Sequence, residues 1–140
     1  ITNNYNLTNI NSLINLTQLN ALKLQGNTVL TNLQGLQNLT SIVQRLTFDY
    51  CYVENVDYLQ NLTSIGDLRI YNCDFLTNLN GLSNVSIINS NIQIERSEVL
   101  YDFCGLSNVI TSGGFTGVYD VKDNAYNPTQ QDIIDGNCSQ

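Results

Sequence analysis

A chain of 140 residues carries twelve acidic and five basic side chains, no His, Met or Trp, and a net charge of −7. It has no basic excess for a nucleic-acid footprint, no His for a His-based general base or triad, and no stretch near the roughly 18 apolar residues of a membrane-crossing helix. Charged residues make up only 12% of it, about half of the usual ~25%; Asn and Thr supply the missing polarity and recur with Leu at a fixed period.

The elements follow in chain order at that period, within one expected domain, 1–140. Leu7, Leu30, Val53, Leu76 and Leu100 are spaced 23, 23, 23 and 24 apart. They open five expected coils, about 7–29, 30–52, 53–75, 76–99 and 100–124. Three more apolar columns follow at steps of three: Ile10, Leu33, Val56, Leu79, Phe103; then Leu13, Leu36, Leu59, Leu82, Leu106; then Leu16, Leu39, Leu62, Val85, Val109. A step of three fits neither a strand nor a helix. It suits a chain that winds round a core and sends one side chain inward at each corner.

The second half of each coil reads as a short strand. Leu19 to Asn27 spells LxxLxLxxN, and Ile65 to Cys73 spells IxxLxIxxC. Alternate residues would face inward, and copies would stack as a parallel sheet about 4.8 Å apart. A closing column, Asn27, Cys51, Cys73, Ser97 and Asn124, is expected to form an inward ladder, its Asn members satisfying backbone groups freed by the bend. Coil two carries one extra residue before its strand, between Ile42 and Phe48, and coil four is shifted, with Ile92-Gln93-Ile94 leading to Ser97. Thr111 to Gly117 is Gly-rich and reads as a loop, ahead of a degenerate last strand at Tyr119-Asp120-Val121.

Residues 125–140 are expected to cap the stack. Thr129 is a good N-cap, Asp132 sits at the third helical position, and Gly136 ends the helix. Ile133 and Ile134 would lie over the last coil. Cys138 follows directly and Cys104 opens the last coil, so a Cys104–Cys138 disulfide is expected to clamp the cap. Closing a loop of roughly 35 residues, it is worth on the order of 3 to 4 kcal/mol in the chain-entropy picture. Cys51 and Cys73 lie near enough to bridge, but parallel Cβ vectors strain such a bond, and free buried thiols are expected. Without His or CxxC, no metal site or cofactor is expected. Four cysteines in so polar a chain point to an oxidising compartment. A start at Ile1 in mid-pattern, with no initiator Met or signal peptide, points to a mature or excised piece.

The run GLxNLTSIxxxLxIxxC, followed by LTNLxGL, resembles the receptor L domain, a leucine-rich-repeat-like right-handed β-helix. That family includes the ligand-binding lobes of the insulin and epidermal-growth-factor receptors. The closing DFCGL, DNAYNPT and GNC are more similar to L-domain-like modules of bacterial secreted and cell-surface proteins. The repeats carry the resemblance over about 7–124, and the closing segment takes it to Cys138. It implies a non-enzymatic binding module outside the cell. The Cys-rich flanking module of the animal receptors is missing, so growth-factor binding is not implied. The expected fold is mainly β: a right-handed leucine-rich-repeat-like solenoid of about five 23-residue coils, with a parallel sheet and a short C-terminal capping helix.

On such a sheet the outward positions form three columns. Lys23, Thr47, Arg69, Gln93 and Asp120 make one; Gln25, Asp49, Tyr71, Glu95 and Lys122 the next; Ala21, Arg45, Asp67 and Asn91 precede them. Arg and Tyr dominate recognition hot spots, so Lys23, Arg45, Thr47, Asp49, Arg69, Tyr71, Gln93 and Glu95 are the candidate ligand-binding residues. The plainer alternative is a solvated sheet with cross-strand ion pairs worth under about 1 kcal/mol each. Six N-x-S/T sequons, at Asn6, Asn15, Asn38, Asn61, Asn84 and Asn137, are expected to be by-products of corners that need Asn and Thr. No GxSxG, phosphate loop or dinucleotide fingerprint occurs, and no enzymatic activity is expected. Two functions remain. One is an extracellular or cell-surface recognition or adhesion module that binds a protein or glycan through its strand face. The other is a structural bead or subunit of a larger surface protein or filament, self-associating or flanked by like domains. Neither involves nucleic acid or membrane insertion.

Overall fold

A computed structural model describes residues 1–140. The protein is mainly β, built on one parallel sheet of six strands: β1 (Gln18–Gln25), β2 (Ser41–Asp49), β3 (Ser64–Tyr71), β4 (Ile87–Ile88), β5 (Ile92–Glu95) and β6 (Tyr119–Lys122). Their order is β1-β2-β3-β5-β6, with β4 also on β3. Each repeat therefore lays its strand beside that of the repeat before it. No helix is long and apolar enough to cross a membrane.

The four apolar columns explain that order, because they converge on one core cluster of 34 buried residues. From the second repeat onward every column member is buried, Leu33, Val56, Leu79 and Phe103 to 0% exposure. In the first repeat only Ile10 is buried; Leu7 and Leu13 are half-covered. Burying a Leu or Phe side chain is worth about 1.5–3 kcal/mol, and strand and corner residues contribute alike.

Polar groups at the bends are satisfied by columns of short side chains. Backbone N–H groups of Asn11, Gln34, Asp57, Asn80 and Cys104 donate to the Oδ1 of Asn9, Asn32, Asn55, Asn78 and Asp102 at 2.9–3.4 Å, the Asx-turn geometry. One repeat hands on to the next through Nδ2 of Asn38, Asn61, Asn84 and Asn108, which donate to the carbonyls of Ile14, Gln37, Gln60 and Val85 at 2.7–3.1 Å. Three of these four are sequon asparagines, so the corner uses the atom that a glycan would occupy. Hydroxyls of Thr40, Thr63 and Ser86 donate to the carbonyls of Thr17, Thr40 and Thr63. After β1, β2, β3, β5 and β6 the chain bends at a residue with positive φ, Gly26, Tyr50, Asn72, Arg96 and Asp123, as it does at Asn3 near the N-terminus, all between 48° and 64°. The next residue in each later repeat is a member of the ladder Asn27, Cys51, Cys73, Ser97, Asn124.

The C-terminal segment folds as its sequence implies. Helix α2 (Gln130–Ile134) carries a full capping box between Thr129 and Asp132. Hydrogen bonds from the Thr129 side chain and backbone hold the Asp132 carboxyl below its ordinary value. That contribution to stability is present at neutral pH and is lost as pH falls through the lowered folded value. The disulfide joins Cys104 to Cys138. Two details differ from expectation. Ile133 is buried, but Ile134 is 50% exposed, because a helix of this length presents one residue to the core, not two. The insert at 111–117 is not a free loop: Thr111 ends helix α1 (Ser107–Thr111), and Phe115 is buried and bridges to Ile88.

Cys51 and Cys73 are free and buried, their sulfurs 2.7 Å apart. Burial, followed by the hydrogen bond to Cys51, pushes the Cys73 thiol far up, away from the thiolate that alkylates. Iodoacetamide at pH 8 should therefore label no cysteine in the native protein, two after denaturation alone and four after denaturation and reduction, read by intact mass. Zero labels after denaturation alone would mean a second disulfide.

Candidate functional site

The outward columns fall in register as the repeat implies: Lys23 pairs with Thr47, Thr47 with Arg69, Arg69 with Gln93 and Gln93 with Asp120, while Arg45 pairs with Asp67. The departure from regularity lies in β2. Its ladder slips against β1 between Leu19 and Ala21, and against β3 between Ile42 and Arg45. The extra residue of repeat two is thus accommodated as a bulge at Val43 and Gln44. The bulge presses its carbonyls onto β3. A Cβ on Gly66 would lie 2.1 Å from the Gln44 oxygen and 2.4 Å from that of Val43, so only glycine fits opposite the bulge.

Beside Gly66, Asp67 is only 5% exposed, although its column faces outward. Two guanidinium groups cover it. Arg45 Nε donates to Asp67 Oδ2 at 2.8 Å and Arg69 Nε donates to the same oxygen at 2.9 Å. Oδ1 is buried without a partner. The Nη groups of both arginines make no hydrogen bond within the chain, and the two side chains stay 49% and 29% exposed. Asp67 therefore fixes two cations by their inner edge and leaves their outer donors free.

These groups border a concavity of about 560 Å³ over β1–β3, lined by Ala21, Leu22, Lys23, Gln44, Arg45, Thr47, Asp49, Arg69 and Tyr71. Three of the five cations of the chain line it, against one lining carboxylate. Asp49 accepts a bond from Gln25 Nε2 at 2.8 Å. The Tyr71 hydroxyl donates to Gln93 Oε1 at 3.1 Å, which fixes the ring. Burial raises the Tyr71 phenol above its ordinary value, Arg69 and Arg45 opposing and Glu95 and Asp67 reinforcing, so it remains a neutral donor at physiological pH.

Of the eight residues selected from the sequence, the structure gathers Lys23, Arg45, Thr47, Asp49, Arg69 and Tyr71 around this concavity. Gln93 and Glu95 do not line it. Gln93 supports Tyr71 from behind, and Glu95 lies 3.5 Å from Lys122, which also pairs with Asp120 at 2.9 Å. Thr47 is 8% exposed; on a sheet this crowded by long neighbours a short central side chain is covered, and it forms floor, not surface. Sequence reasoning missed Gln44, whose signal was the extra residue of repeat two. It also missed an exposed apolar stripe at repeat spacing, Val29, Tyr52, Phe75 and Val99, each 38–48% exposed. Tyr52 and Phe75 stack there with ring centroids 4.7 Å apart. No group of His, Cys, Asp and Glu side chains is placed to hold a metal ion.

Comparison with known proteins gives no matching family model, no matching curated relative and no matching solved structure.

The shared carboxylate makes the two arginines energetically coupled. Arg45→Ala and Arg69→Ala should each cost less than about 1 kcal/mol, because the other still faces Asp67 and both reach solvent. The double variant should cost about 3 kcal/mol, since it leaves a buried carboxylate without a cation. Adding Asp67→Ala to the double variant should recover part of that loss. Urea unfolding midpoints of the four variants measure the coupling; additive single effects would rule out the shared-carboxylate account.

Proposed function

We propose that this protein is a non-enzymatic recognition or adhesion module that works outside the cell and binds a protein or glycan through its strand face. In this reading the chain is a right-handed leucine-rich-repeat-like solenoid of about five coils, of the receptor L-domain kind. The parallel sheet and the repeat-spaced columns support that architecture. The Cys104–Cys138 disulfide supports an oxidising, extracellular setting.

One observation carries the functional reading. A chain with net charge −7 concentrates three of its five cations and a fixed tyrosine around a single concavity. The cross-strand ion pairs of a plain solvated sheet are present, Arg45 with Asp67 and Lys122 with Glu95, but they do not use up the cations of this concavity. Here Lys23 has no acidic partner, and the two arginines are held so that their outer donors stay free. Rigid Arg and Tyr groups lose little entropy on binding.

The apolar stripe Val29-Tyr52-Phe75-Val99 favours a second reading, a structural bead that associates with copies or neighbours through that edge. Sedimentation separates the two: the bead self-associates at micromolar concentration, and Phe75→Ser returns it to monomer.

The test of the first reading is a screen of the labelled protein on a glycan array and a displayed library of extracellular domains, with Arg69→Ala/Tyr71→Ala beside the wild type. The double variant should keep a cooperative thermal transition and lose at least ten-fold in signal on whatever the wild type captures. Equal signals from the two proteins would remove the strand face from the account.

A further inference from the structure

We infer that the concavity over β1–β3 recognises an acidic saccharide, with Arg45 and Arg69 taking its anionic group through their free Nη donors and Tyr71 taking a sugar face. This rests on the strand-face reading above and names the class of ligand.

The argument begins with the arginine pair. A guanidinium binds a carboxylate or sulfate through two parallel N–H groups in one plane. Such binding is usually weakened by the entropy of ordering a long side chain. Here that ordering is already in place. Asp67 accepts from both Nε atoms at 2.8 and 2.9 Å, it is itself 95% buried by the 5% exposure of its residue, and Gly66 holds it beside the β2 bulge. Asp67 neutralises one of the two charges, so the pair retains a net positive charge. Lys23 adds a third cation two strands away, roughly 10 Å by strand spacing. The site is therefore a fixed, electropositive patch on an acidic molecule.

The rest of the lining selects a sugar over a peptide. Apart from Tyr71, its apolar members are Ala21 and a buried Leu22, which leave no pocket for an apolar anchor side chain. Gln44, Lys23 and Asp49 offer donors and acceptors suited to hydroxyls. The Tyr71 ring, pinned through Gln93, presents a negative π face to the positive C–H edge of a pyranose. Long-range charge points the same way. An acidic protein would be repelled by the −7 net charge over its whole surface. A short acidic saccharide feels chiefly the local cations, since fields fade over about 8 Å at physiological salt.

The experiment is a titration of the ¹⁵N-labelled protein with a trigalacturonate, its fully methyl-esterified form, a sulfated disaccharide and a pentaglutamate peptide, following amide and arginine Nε–Hε signals. Trigalacturonate or the sulfated disaccharide should shift Arg45, Arg69 and Tyr71, and which of them binds tighter identifies the anionic group. The ester should bind at least ten-fold more weakly than trigalacturonate, binding should weaken as salt rises from 50 to 500 mM, and Arg69→Gln should lose at least ten-fold while its spectrum remains folded. Asp67→Asn tests positioning: it removes no donor to the ligand and takes away a negative charge that opposes it, yet should broaden the arginine Nε–Hε signals and weaken binding; tighter binding with sharp signals would overturn the positioning role of Asp67. The inference is overturned if the ester binds as well as the acid, if pentaglutamate binds tighter than either saccharide, or if no acidic saccharide binds. In those cases a ligand from the array that still maps to Arg69 and Tyr71 leaves the strand-face reading standing; ligands that map elsewhere remove both.

Discussion

The controlling constraint is that equivalent residues of successive repeats lie one strand spacing apart, about 4.8 Å. Whatever a column contains is repeated at hydrogen-bonding distance. Like charges so stacked repel by about 1 kcal/mol per step even in water, while Asn, Thr and Ser both donate and accept. The Asn38-Asn61-Asn84-Asn108 and Thr40-Thr63-Ser86 columns each hand a bond back to the preceding repeat. The low charge and the abundance of Asn are thus consequences of the stacking. Where charge does enter the strand columns, no two like charges are neighbours: Arg45 meets Asp67, Lys23 and Arg69 are separated by Thr47, and Glu95 meets Lys122.

A perfectly periodic surface would present a uniform face. Here the concavity arises where the period breaks. One extra residue in repeat two becomes a bulge, the bulge requires Gly66 beside it, and the slipped register sets Arg45 opposite Asp67. Bulges frequently re-aim side chains at functional sites. The regular columns supply the rigidity that keeps two arginines on one carboxylate, and the irregularity supplies the shape.

Much of this was legible in the sequence because a period is a strong signal. The apolar columns, the strand register, the Cys104–Cys138 bridge and the Thr129 capping box all follow from spacing or from one local motif. Properties that depend on neighbours across strands were not legible. Thr47 occupies an outward position and is nevertheless covered. Asp67 occupies another and is buried under two long side chains, which no property of its own segment announces. Gln93 and Glu95 have the right column but lie on the shorter β5 beyond the bulge, so the concavity does not reach them. Phe115 was hidden in a Gly-rich stretch because the glycines there permit close approach to Ser86 and Ser90 and not only a flexible loop.

The ladder that closes each strand shows how the same column serves different needs along the stack. At its two ends stand asparagines. Asn27 accepts from the Asn4 N–H and donates to the Ile1 carbonyl, and Asn124 accepts from the Ser97 N–H and donates to the Ile94 carbonyl. In the middle stand cysteines, whose thiols face each other and the Tyr71 carbonyl. Each amide bridges a backbone N–H of the preceding repeat and the carbonyl three residues before it, and Ser97 takes the Cys73 N–H with its hydroxyl. The backbone bond at the bend recurs along the stack, from the N–H groups of Asn3, Gly26, Tyr50 and Asn72 to the carbonyls of Gln25, Asp49, Tyr71 and Glu95, so the ladder side chains act beside a pairing that every rung shares. At Cys51 and Cys73 a small, weakly polar thiol fills the buried volume. The Cys51–Cys73 pair packs within the core of the repeats as free thiols, apart from the clamp at Cys104 and Cys138.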